Sequence, residues 1–261
     1  MRIAMGIEYN GSQYFGWQRL SDHVSVQQTL ESALSIVANH PVNVSCAGRT
    51  DSGVHAQAQV IHFNTDSERE NHGWLLGTNA HLPDDISVIW VQPVSEEFHA
   101  RFSATARAYR YVIINRLASP AILQPQASWI HYDLDHERMH EAAQLLLGEN
   151  DYNAYRAVGC QSKSSIRIVE YINVSRCGEY IYVDIKADAF LHHMVRNIVG
   201  VLLAIGSGEQ EIGWSLEVLK TLDRTKAGVT APANGLYMVA VDYPEQFNLP
   251  EPPRCIQFSA E

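Results

Sequence analysis

The sequence predicts an α+β fold, because short strands and amphipathic helices follow one another in the same order twice along the chain. The 261 residues, of which 46% are hydrophobic, are enough for one large or two small packed domains. This composition gives no indication of a disordered chain.

The first half is predicted to have the order βαββαβ. Its first helix has the clearest signal, since Ser25 and Gln28 form a capping box at its start. One apolar face then follows the helix, formed by Val26, Leu30, Ala33, Leu34 and Val37. Strands are expected at residues 3–9, 42–50, 57–64 and 86–94, with a short second helix at 74–80.

The second half repeats this plan and adds a helix and a strand at its end. Strands are expected at residues 108–115, 166–174, 180–187 and 236–241, and helices at 136–147, 191–205 and 214–222. The repeat predicts two ferredoxin-like or RNA-recognition-like halves, with antiparallel sheets joined across a central catalytic cleft. The predicted parts are residues 1–104, residues 105–243 and an extended tail at 244–261. A single α+β domain without internal symmetry is the alternative.

The net charge argues against a general nucleic-acid binder, because it is −10 and phosphate affinity usually comes from clustered cations. The acids are segregated, however, and residues 98–132 contain none. Four arginines fall in that stretch, namely Arg101, Arg107, Arg110 and Arg116. Arginine supplies 15 of the 19 cations, and its planar group suits phosphate contacts and stacking on bases. The stretch therefore predicts a local basic groove for RNA.

The N-terminus and the cysteines indicate a soluble cytoplasmic protein. Residues 1–8 lack the apolar core of a signal peptide, and no apolar run approaches the length that spans a bilayer. The four cysteines are scattered without a C-x-x-C pair. They are therefore expected to be reduced thiols rather than disulfides or zinc ligands.

A polar turn between two predicted strands carries the main candidate for chemistry. In residues 47–56, Ala-Gly-Arg-Thr-Asp-Ser-Gly-Val-His-Ala, Asp51 is the only carboxylate between Glu31 and Asp66. A glycine-containing turn at a sheet edge is the usual place for a reactive group on a rigid scaffold. The alternative is a structural aspartate that caps backbone amides or pairs with Arg49.

Two tyrosines, Tyr109 and Tyr111, alternate with Arg110 on the strand that opens the second half. Aromatic rings beside arginines on a sheet are suited to stacking an unpaired base while holding its backbone. Tyrosine is also a good strand former, so one of the two is expected simply to be packed.

A lone arginine lies on the most apolar predicted helix. Arg196 is the only Lys or Arg from Ala187 to Leu219, and the helix around it is expected to be deeply packed. Burying an unpaired guanidinium is costly, so Arg196 is expected to meet a carboxylate or a substrate phosphate near the cleft. A structural salt bridge to another acid is the alternative.

Three segments of the chain resemble one family. Residues 49–56, Arg-Thr-Asp-Ser-Gly-Val-His-Ala, resemble the signature of the tRNA pseudouridine synthase A family. Residues 106–109, Ala-Arg-Ala-Tyr, and residues 194–196, Met-Val-Arg, resemble two further segments of it. Weaker likenesses, among them Phe-Gly-Trp-Gln at residues 15–18, extend the resemblance over most of the chain.

The resemblance implies a role for each candidate residue. Asp51 would be the nucleophile, and Arg196 would lie against it and keep it ionised. Tyr109 would stack on the flipped uracil and take part in a late proton transfer, while Arg49 would contact phosphate or fill the vacated space. The residues leave open whether Asp51 attacks the sugar C1′, attacks the base C6 or removes a 2′ proton.

By the same resemblance, the chain is expected to isomerise uridine at positions 38 to 40, in the anticodon stem-loop of tRNA. It is expected to act as a homodimer without cofactor or metal, and no membrane or DNA partner is expected. Two other classes remain open: an RNA-recognition-like tRNA chaperone in which Asp51 is incidental, and a structural protein without RNA affinity.

One motif points to different chemistry. Residues 136–140, His-Glu-Arg-Met-His, match the H-E-x-x-H pattern of zinc proteases. No clear third ligand follows, and Asp135 is placed to cap an ordinary amphipathic helix. A helix start is therefore favoured over a zinc site.

Overall fold

The computed structural model describes residues 1–258 and has the α+β architecture that the sequence predicts. The chain divides into two compact units. The first unit contains residues 1–105 and 237–256, and the second contains residues 106–236 and the chain from residue 257. The sequence order suggested that the last strand closes the second half, whereas most of that strand belongs to the first unit.

Within the described residues, the chain forms ten strands and five α-helices. The strands are β1 (Arg2–Tyr9), β2 (Ser45–Cys46), β3 (His55–Asn64), β4 (Ile86–Val94), β5 (Ala106–Asn115), β6 (Ser128–Ile130), β7 (Gly148–Asp151), β8 (Ile166–Cys177), β9 (Tyr180–Ala187) and β10 (Leu236–Asp242). The helices are α1 (Val26–Ala38), α2 (Asn71–Asn79), α3 (His136–Gln144), α4 (Met194–Gly206) and α5 (Trp214–Thr221).

The first unit is built on strands in the order β4–β1–β3–β10, with β2 added on β3. β1 is antiparallel to both β3 and β4, whereas β10 pairs in parallel with β3. Helix α1 begins where predicted, because Ser25 Oγ accepts a hydrogen bond from the Gln28 amide at 3.3 Å. The helix fully buries Val26, Leu30 and Leu34, which belong to the predicted apolar face.

The strand predicted at residues 42–50 is wrong in extent, since only β2 forms there. The amide of Val42 donates to Ser35 Oγ at 2.9 Å, and the amide of Val44 donates to Glu31 Oε1 at 2.9 Å. Both acceptors are side chains of α1. An amide bound to a helix side chain is not available to a sheet ladder, so the pairing with β3 stops at β2.

The second unit has the strand order β5–β9–β8–β7, and all three pairings are antiparallel. β6 pairs in parallel with β5. Helix α3 packs on β8 and on α4, and α4 also contacts α5. β6 and β7 are too short to show a periodic pattern, and the sequence analysis missed both. Within residues 1–258, no helix is both long and apolar enough to cross a membrane.

Helix α4 begins three residues later than predicted. His193 precedes it with a φ of 60°, in the left-handed region, so the helical geometry cannot extend back to Leu191. The amide of Met194 bonds instead to the carbonyl of Leu191 at 3.0 Å. The helix then remains buried along most of its length, as its largely apolar sequence predicted.

The tail predicted at residues 244–261 begins with a short 3-10 turn at Glu245–Phe247. After this turn, the described part has no helix or strand. Its aromatic and aliphatic side chains, including Leu249, pack against a cluster in the first unit that contains Phe98. Residues 259–261 of the predicted tail lie outside the described residues.

Candidate active site

Asp51 lies half-buried in the loop between β2 and β3, and the chain between β1 and α1 holds this loop on both sides of it. The amide of Trp17 donates to the Thr50 carbonyl at 3.0 Å. On the other side, the amide of Gly53 donates to the Tyr14 carbonyl at 3.3 Å. The backbone on either side of the carboxylate is therefore fixed, which is the support that a positioned reactive group requires.

Gly16 allows this close approach, and we call residues 14–17 the bracing segment. Gly16 has a φ of 86°, and a Cβ there would lie 2.7 Å from the Thr50 carbonyl oxygen and 3.0 Å from the Asp51 carbonyl carbon. Any side chain at this position would displace the loop. In the sequence, residues 15–18 give only a weak family likeness and do not predict this support. The available signal was a glycine enclosed by aromatic residues.

Buried side chains fix both ends of the loop. Tyr9 and Thr50 share a hydrogen bond of 2.7 Å between their hydroxyl groups. After the loop, His55 Nδ1 accepts a hydrogen bond from the Gly11 amide at 3.1 Å, so this nitrogen carries no proton. The His55 ring also stacks on Tyr237, with 4.6 Å between the ring centroids. Side chains and backbone thus restrain the loop together.

Two arginines, Arg49 and Arg101, place positive charge near the start of the loop. Burial raises the pKa of the Cys46 thiol to about 12, and the charges of Arg49 and Arg101 oppose that rise. Both arginines therefore lie near Cys46 in the first unit, although Arg101 is far from Cys46 and from Arg49 in the sequence. Arg49 is exposed to solvent. An exposed guanidinium next to the loop is suited to contact an RNA phosphate.

The two tyrosines of β5 have different environments. Tyr111 is fully buried, and its hydroxyl bonds to Ser128 Oγ at 2.6 Å and to the Pro232 carbonyl at 2.8 Å. Burial raises its pKa well above the usual value. The Tyr109 ring packs edge-on against Phe190, with 5.0 Å between the centroids. Tyr109 is only 8% exposed, so both tyrosines are packed rather than one alone, and the hydroxyl of Tyr111 bonds to two other segments of the second unit.

The arginine-rich stretch is not simply basic, and this part of the sequence interpretation is wrong. Arg110 forms a two-point ion pair with Asp184, at 2.7 and 2.8 Å. Arg116 pairs with Glu179 at 3.0 Å. These acids lie on or beside β9, the antiparallel neighbour of β5, where a scan along the stretch could not find them. Two of the four arginine charges are therefore balanced by neighbouring strand residues.

Arg196 lies in the first turn of α4 and is tied to the segment before β10. Its Nε donates to the Ala231 carbonyl at 2.8 Å, and the Ala231 amide donates back to the Arg196 carbonyl at 3.1 Å. Gly200 allows the helix to approach this segment, because a Cβ there would lie 1.8 Å from the Val229 carbonyl oxygen. The direction of the Arg196 guanidinium is thereby set.

Asn197, next to Arg196, is a fully buried polar residue that the sequence analysis missed. Its Nδ2 donates to the Tyr155 carbonyl at 2.7 Å. Its Oδ1 accepts from Arg224 at 3.0 Å and from the Thr230 hydroxyl at 2.7 Å. This network joins the start of α4 to three other segments. The available signal was an asparagine on an otherwise apolar helix face.

The zinc-like motif starts α3. Asp135 Oδ1 accepts hydrogen bonds from the amides of Glu137 and Arg138, at 3.0 and 3.1 Å, as predicted for its cap. His140 Nδ1 accepts a hydrogen bond from the Val174 amide at 3.2 Å. In the described part of the chain, no group of three potential metal ligands includes His136 or His140. The motif is used for capping and packing.

The predicted site residues divide between the units. Asp51 and Arg49 share one loop of the first unit, whereas Tyr109 and Arg196 belong to the second. The first unit offers a carboxylate on an immobilised loop with an exposed cation beside it. Such a group can act as a nucleophile or as a base toward a substrate held next to it.

Comparisons with known proteins give the family of the chain. A family model described as tRNA pseudouridine synthase matches residues 5–103 and 142–244. The tRNA pseudouridine synthase A of Actinobacillus pleuropneumoniae serotype 3 (strain JL03) is 59% identical over 251 residues, covering 96% of each chain. That of Cronobacter sakazakii (strain ATCC BAA-894) is 58% identical over 261 residues, covering 100% of this chain and 97% of the relative.

Among solved structures, the crystal structure of a Cbf5–Nop10–Gar1 complex matches with a TM-score of 0.41 and 9% identity. It covers 91% of this chain and 49% of the matched chain, and a likeness this weak carries no argument. The family model and the sequence relatives are sufficient to assign the family. The chain belongs to the tRNA pseudouridine synthase family. It is an isomerase that converts uridine to pseudouridine.

Proposed function

We propose that this isomerase acts at positions 38 to 40, in the anticodon stem-loop of tRNA, and that Asp51 is its nucleophile. The observation that carries the assignment is the immobilised loop: the hydrogen bonds on either side of Asp51 fix its backbone. The relatives that match the whole chain are named tRNA pseudouridine synthase A, which supports tRNA as the substrate. The positions within tRNA follow from the resemblance of residues 49–56 to the family signature.

The reaction rearranges one nucleoside without adding or removing atoms. The bond between C1′ and N1 breaks, and a bond between C1′ and C5 forms. N1 gains a proton and C5 releases one, so no electron donor or acceptor is required. A carboxylate can start this sequence by attacking C1′, by attacking C6 or by removing the 2′ proton. Each route needs a carboxylate held on one face of a nucleotide that has left its stack.

The remaining candidates have supporting roles in this proposal. Tyr109 stacks on the extruded uracil and takes part in the late proton transfer from C5. Arg196 supplies the positive charge that the family resemblance assigns to the nucleophile, and its bond to Ala231 orients the guanidinium. Arg49 is exposed beside the nucleophile, and it contacts the backbone phosphate or fills the space that the base leaves.

We also propose that the enzyme is a cytoplasmic homodimer with no DNA partner. A chain with a net charge of −10 attracts phosphates weakly as a whole, and at least four of its arginines are paired with acids. Two copies that contact one tRNA would double the number of arginines available to it.

The decisive test replaces Asp51 by alanine. Asp51→Ala should lower kcat by at least about 10⁴-fold, because the variant lacks the group that starts the reaction. The release of tritium from tRNA labelled at uridine C5, followed by nucleoside mapping of positions 38 to 40, measures product. Filter binding at low salt measures tRNA affinity, which should stay within about threefold of wild type since phosphate contacts remain.

The matched control is Asp66→Ala, which removes an exposed aspartate from the same unit and should leave turnover unchanged. Substantial turnover by Asp51→Ala would exclude it as the nucleophile. A wild-type protein that binds tRNA without forming any pseudouridine would instead favour the RNA chaperone.

A further inference from the structure

We infer that Phe15 and His23 form a stacking platform for an unpaired base of the RNA substrate, next to the Asp51 loop. This inference rests on the proposed function and deepens it, since it names a part of the same site that holds the RNA. It is carried by the geometry of two exposed rings and by their attachment to the bracing segment.

The two rings already stack like neighbouring bases. Their centroids are 3.9 Å apart and their planes differ by only 12°. Phe15 is 54% exposed, and His23 is exposed as well. Backbone bonds hold the pair together, because the Phe15 amide donates to the Val24 carbonyl at 3.1 Å and the Val26 amide donates to the Gly16 carbonyl at 3.2 Å. The stack is therefore built before any RNA binds.

The pair lies beside the loop of Asp51. Phe15 is enclosed in sequence by Tyr14 and Gly16, and both of these touch the loop. The Tyr14 carbonyl accepts from the Gly53 amide at 3.3 Å and from Ser52 Oγ at 3.2 Å. Gly16 packs against the backbone of the loop itself. A base on the platform would therefore be a close neighbour of the nucleotide held at Asp51.

The core does not need the Phe15 ring. Its aromatic neighbours serve the fold: Trp17 is 1% exposed, and the Tyr14 hydroxyl donates to Asp85 Oδ1 at 2.6 Å. Phe15 is 54% exposed, so its ring buries little apolar area against the unit and contributes little to the free energy of folding. A stacked, exposed pair on a restrained backbone is more suited to bind a flat ligand than to stabilise the unit.

RNA is the occupant that the surroundings favour. Every base presents a flat π-surface, and aromatic side chains bind unpaired bases through it without regard to sequence. Arg49 lies exposed on the adjacent loop and can contact the phosphate of the same nucleotide. Extruding a uridine also unstacks its neighbours, and the platform offers one of them a replacement surface.

The test uses the full-length Asp51→Ala protein, so that binding is measured without turnover. The RNAs are an anticodon stem-loop with 2-aminopurine in the loop and a blunt-ended duplex of two RNA strands with the same total number of nucleotides. Phe15→Ala should weaken stem-loop binding by roughly 10-fold or more and abolish the change in 2-aminopurine fluorescence that stacking on the platform causes. Affinity for the duplex should change by less than about twofold, because no unpaired base is present. Phe15→Tyr should restore both signals, since it keeps the π-surface.

In the otherwise wild-type enzyme, Phe15→Ala should raise KM by a similar factor while kcat changes by less than about threefold. The control is Ile36→Ala, which removes a side chain that is 60% exposed on α1 and should alter neither KM nor fluorescence.

Unchanged stem-loop affinity in Phe15→Ala would overturn the inference, and so would an equal loss of affinity for the paired duplex. A change in oligomeric state, seen by light scattering, would overturn it as well and would assign the rings to contact between two copies of the chain. The proposed function is tested separately, by pseudouridine formation at positions 38 to 40 in the wild-type enzyme and by the turnover of Asp51→Ala, and neither measurement involves a change at Phe15.

Discussion

The Asp51 loop and the start of α4 each hold a proposed site residue, but by different means. Around Asp51, backbone amides and carbonyls of the bracing segment bind the loop directly, and Gly16 allows the contact. Around Arg196, the neighbouring side chain of Asn197 binds three separate segments from a buried position. Loops lack a repeating hydrogen-bond ladder, so their backbone groups remain available to other segments, whereas most helix backbone groups are already paired and the side chains make the contacts to other segments.

This difference predicts which substitutions should destabilise each region most. A loop that is bound through its backbone is sensitive to any Cβ that separates the two chains. A helix start that is bound through side chains is sensitive to the loss of a single buried amide group, because several partners then lose their hydrogen bonds together.

Adding a methyl group at the close contact of each region should have the largest effect on stability. In Gly200→Ala the new Cβ would lie 1.8 Å from the Val229 carbonyl oxygen, and we expect the free energy of unfolding to fall by at least about 3 kcal/mol. In Gly16→Ala it would lie 2.7 Å from the Thr50 carbonyl oxygen, with an expected fall of about 2 to 3 kcal/mol. Because Gly16→Ala also moves Asp51, kcat should fall about 100-fold.

Denaturant titration and tritium release measure these effects. The control is Gly73→Ala in α2, where an added Cβ would lie 4.0 Å from the Arg69 Cβ, an ordinary van der Waals distance. This change should raise the free energy of unfolding by about 0.5 to 1 kcal/mol through helix propensity. If Gly16→Ala kept the wild-type kcat, the bracing segment would not position the nucleophile.

Removing the buried amide of Asn197 should have the next largest effect. Asn197→Ala leaves the Tyr155 carbonyl without this donor and removes an acceptor from Arg224 and Thr230. We expect the free energy of unfolding to fall by about 2 to 4 kcal/mol, measured by denaturant titration. Asn173→Ala, at an exposed asparagine on β8, is the matched control and should cost less than about 0.5 kcal/mol. Equal costs for the two variants would show that the network does not hold the helix start.

The tyrosines of β5 should give the smallest change in stability and the clearest separation of roles. Tyr111→Phe removes the hydroxyl that bonds to Ser128 and Pro232, and should lower the free energy of unfolding by about 1 to 2 kcal/mol without changing kcat. Tyr109→Phe should show the reverse, with kcat lowered at least about 10-fold and stability nearly unchanged. Thermal unfolding and tritium release on both variants measure this, and a wild-type kcat in Tyr109→Phe would remove it from the proton transfer.

Much of the architecture was predictable because its signals are local. The strands at 86–94 and 180–187 were predicted with the bounds that the structure gives them, and the Ser25 cap of α1 is confirmed. The strand at 42–50 was overestimated, because side chains of α1 take two of its amides. Alternation of apolar residues reports which face is buried, but it does not report which partner binds the backbone.

For the candidate site, the sequence indicated residues but not their surroundings, and the roles of these residues stay predictions. Asp51 and Arg196 stood out by their isolation from other charges of the same sign, and Tyr109 by its place beside Arg110. Their supports did not stand out, because the bracing segment and the loop lie more than thirty positions apart in the chain. The charge of the arginine stretch was also misjudged, since the balancing acid Asp184 lies across the strand pair, 74 residues from Arg110.

The sequence by itself determined the alternation of strands and helices, the family of the chain and the identity of the residues proposed to react. The alternation depends on local spacing, and the family and the candidate residues depend on short motifs that resemble those of known relatives; both can be read along the chain. Only the tertiary structure decided which glycines must remain glycines, which arginines are already paired and which aromatic rings remain exposed. These properties depend on contacts between distant segments, where packing at atomic distance, rather than the pattern along the chain, sets the energy.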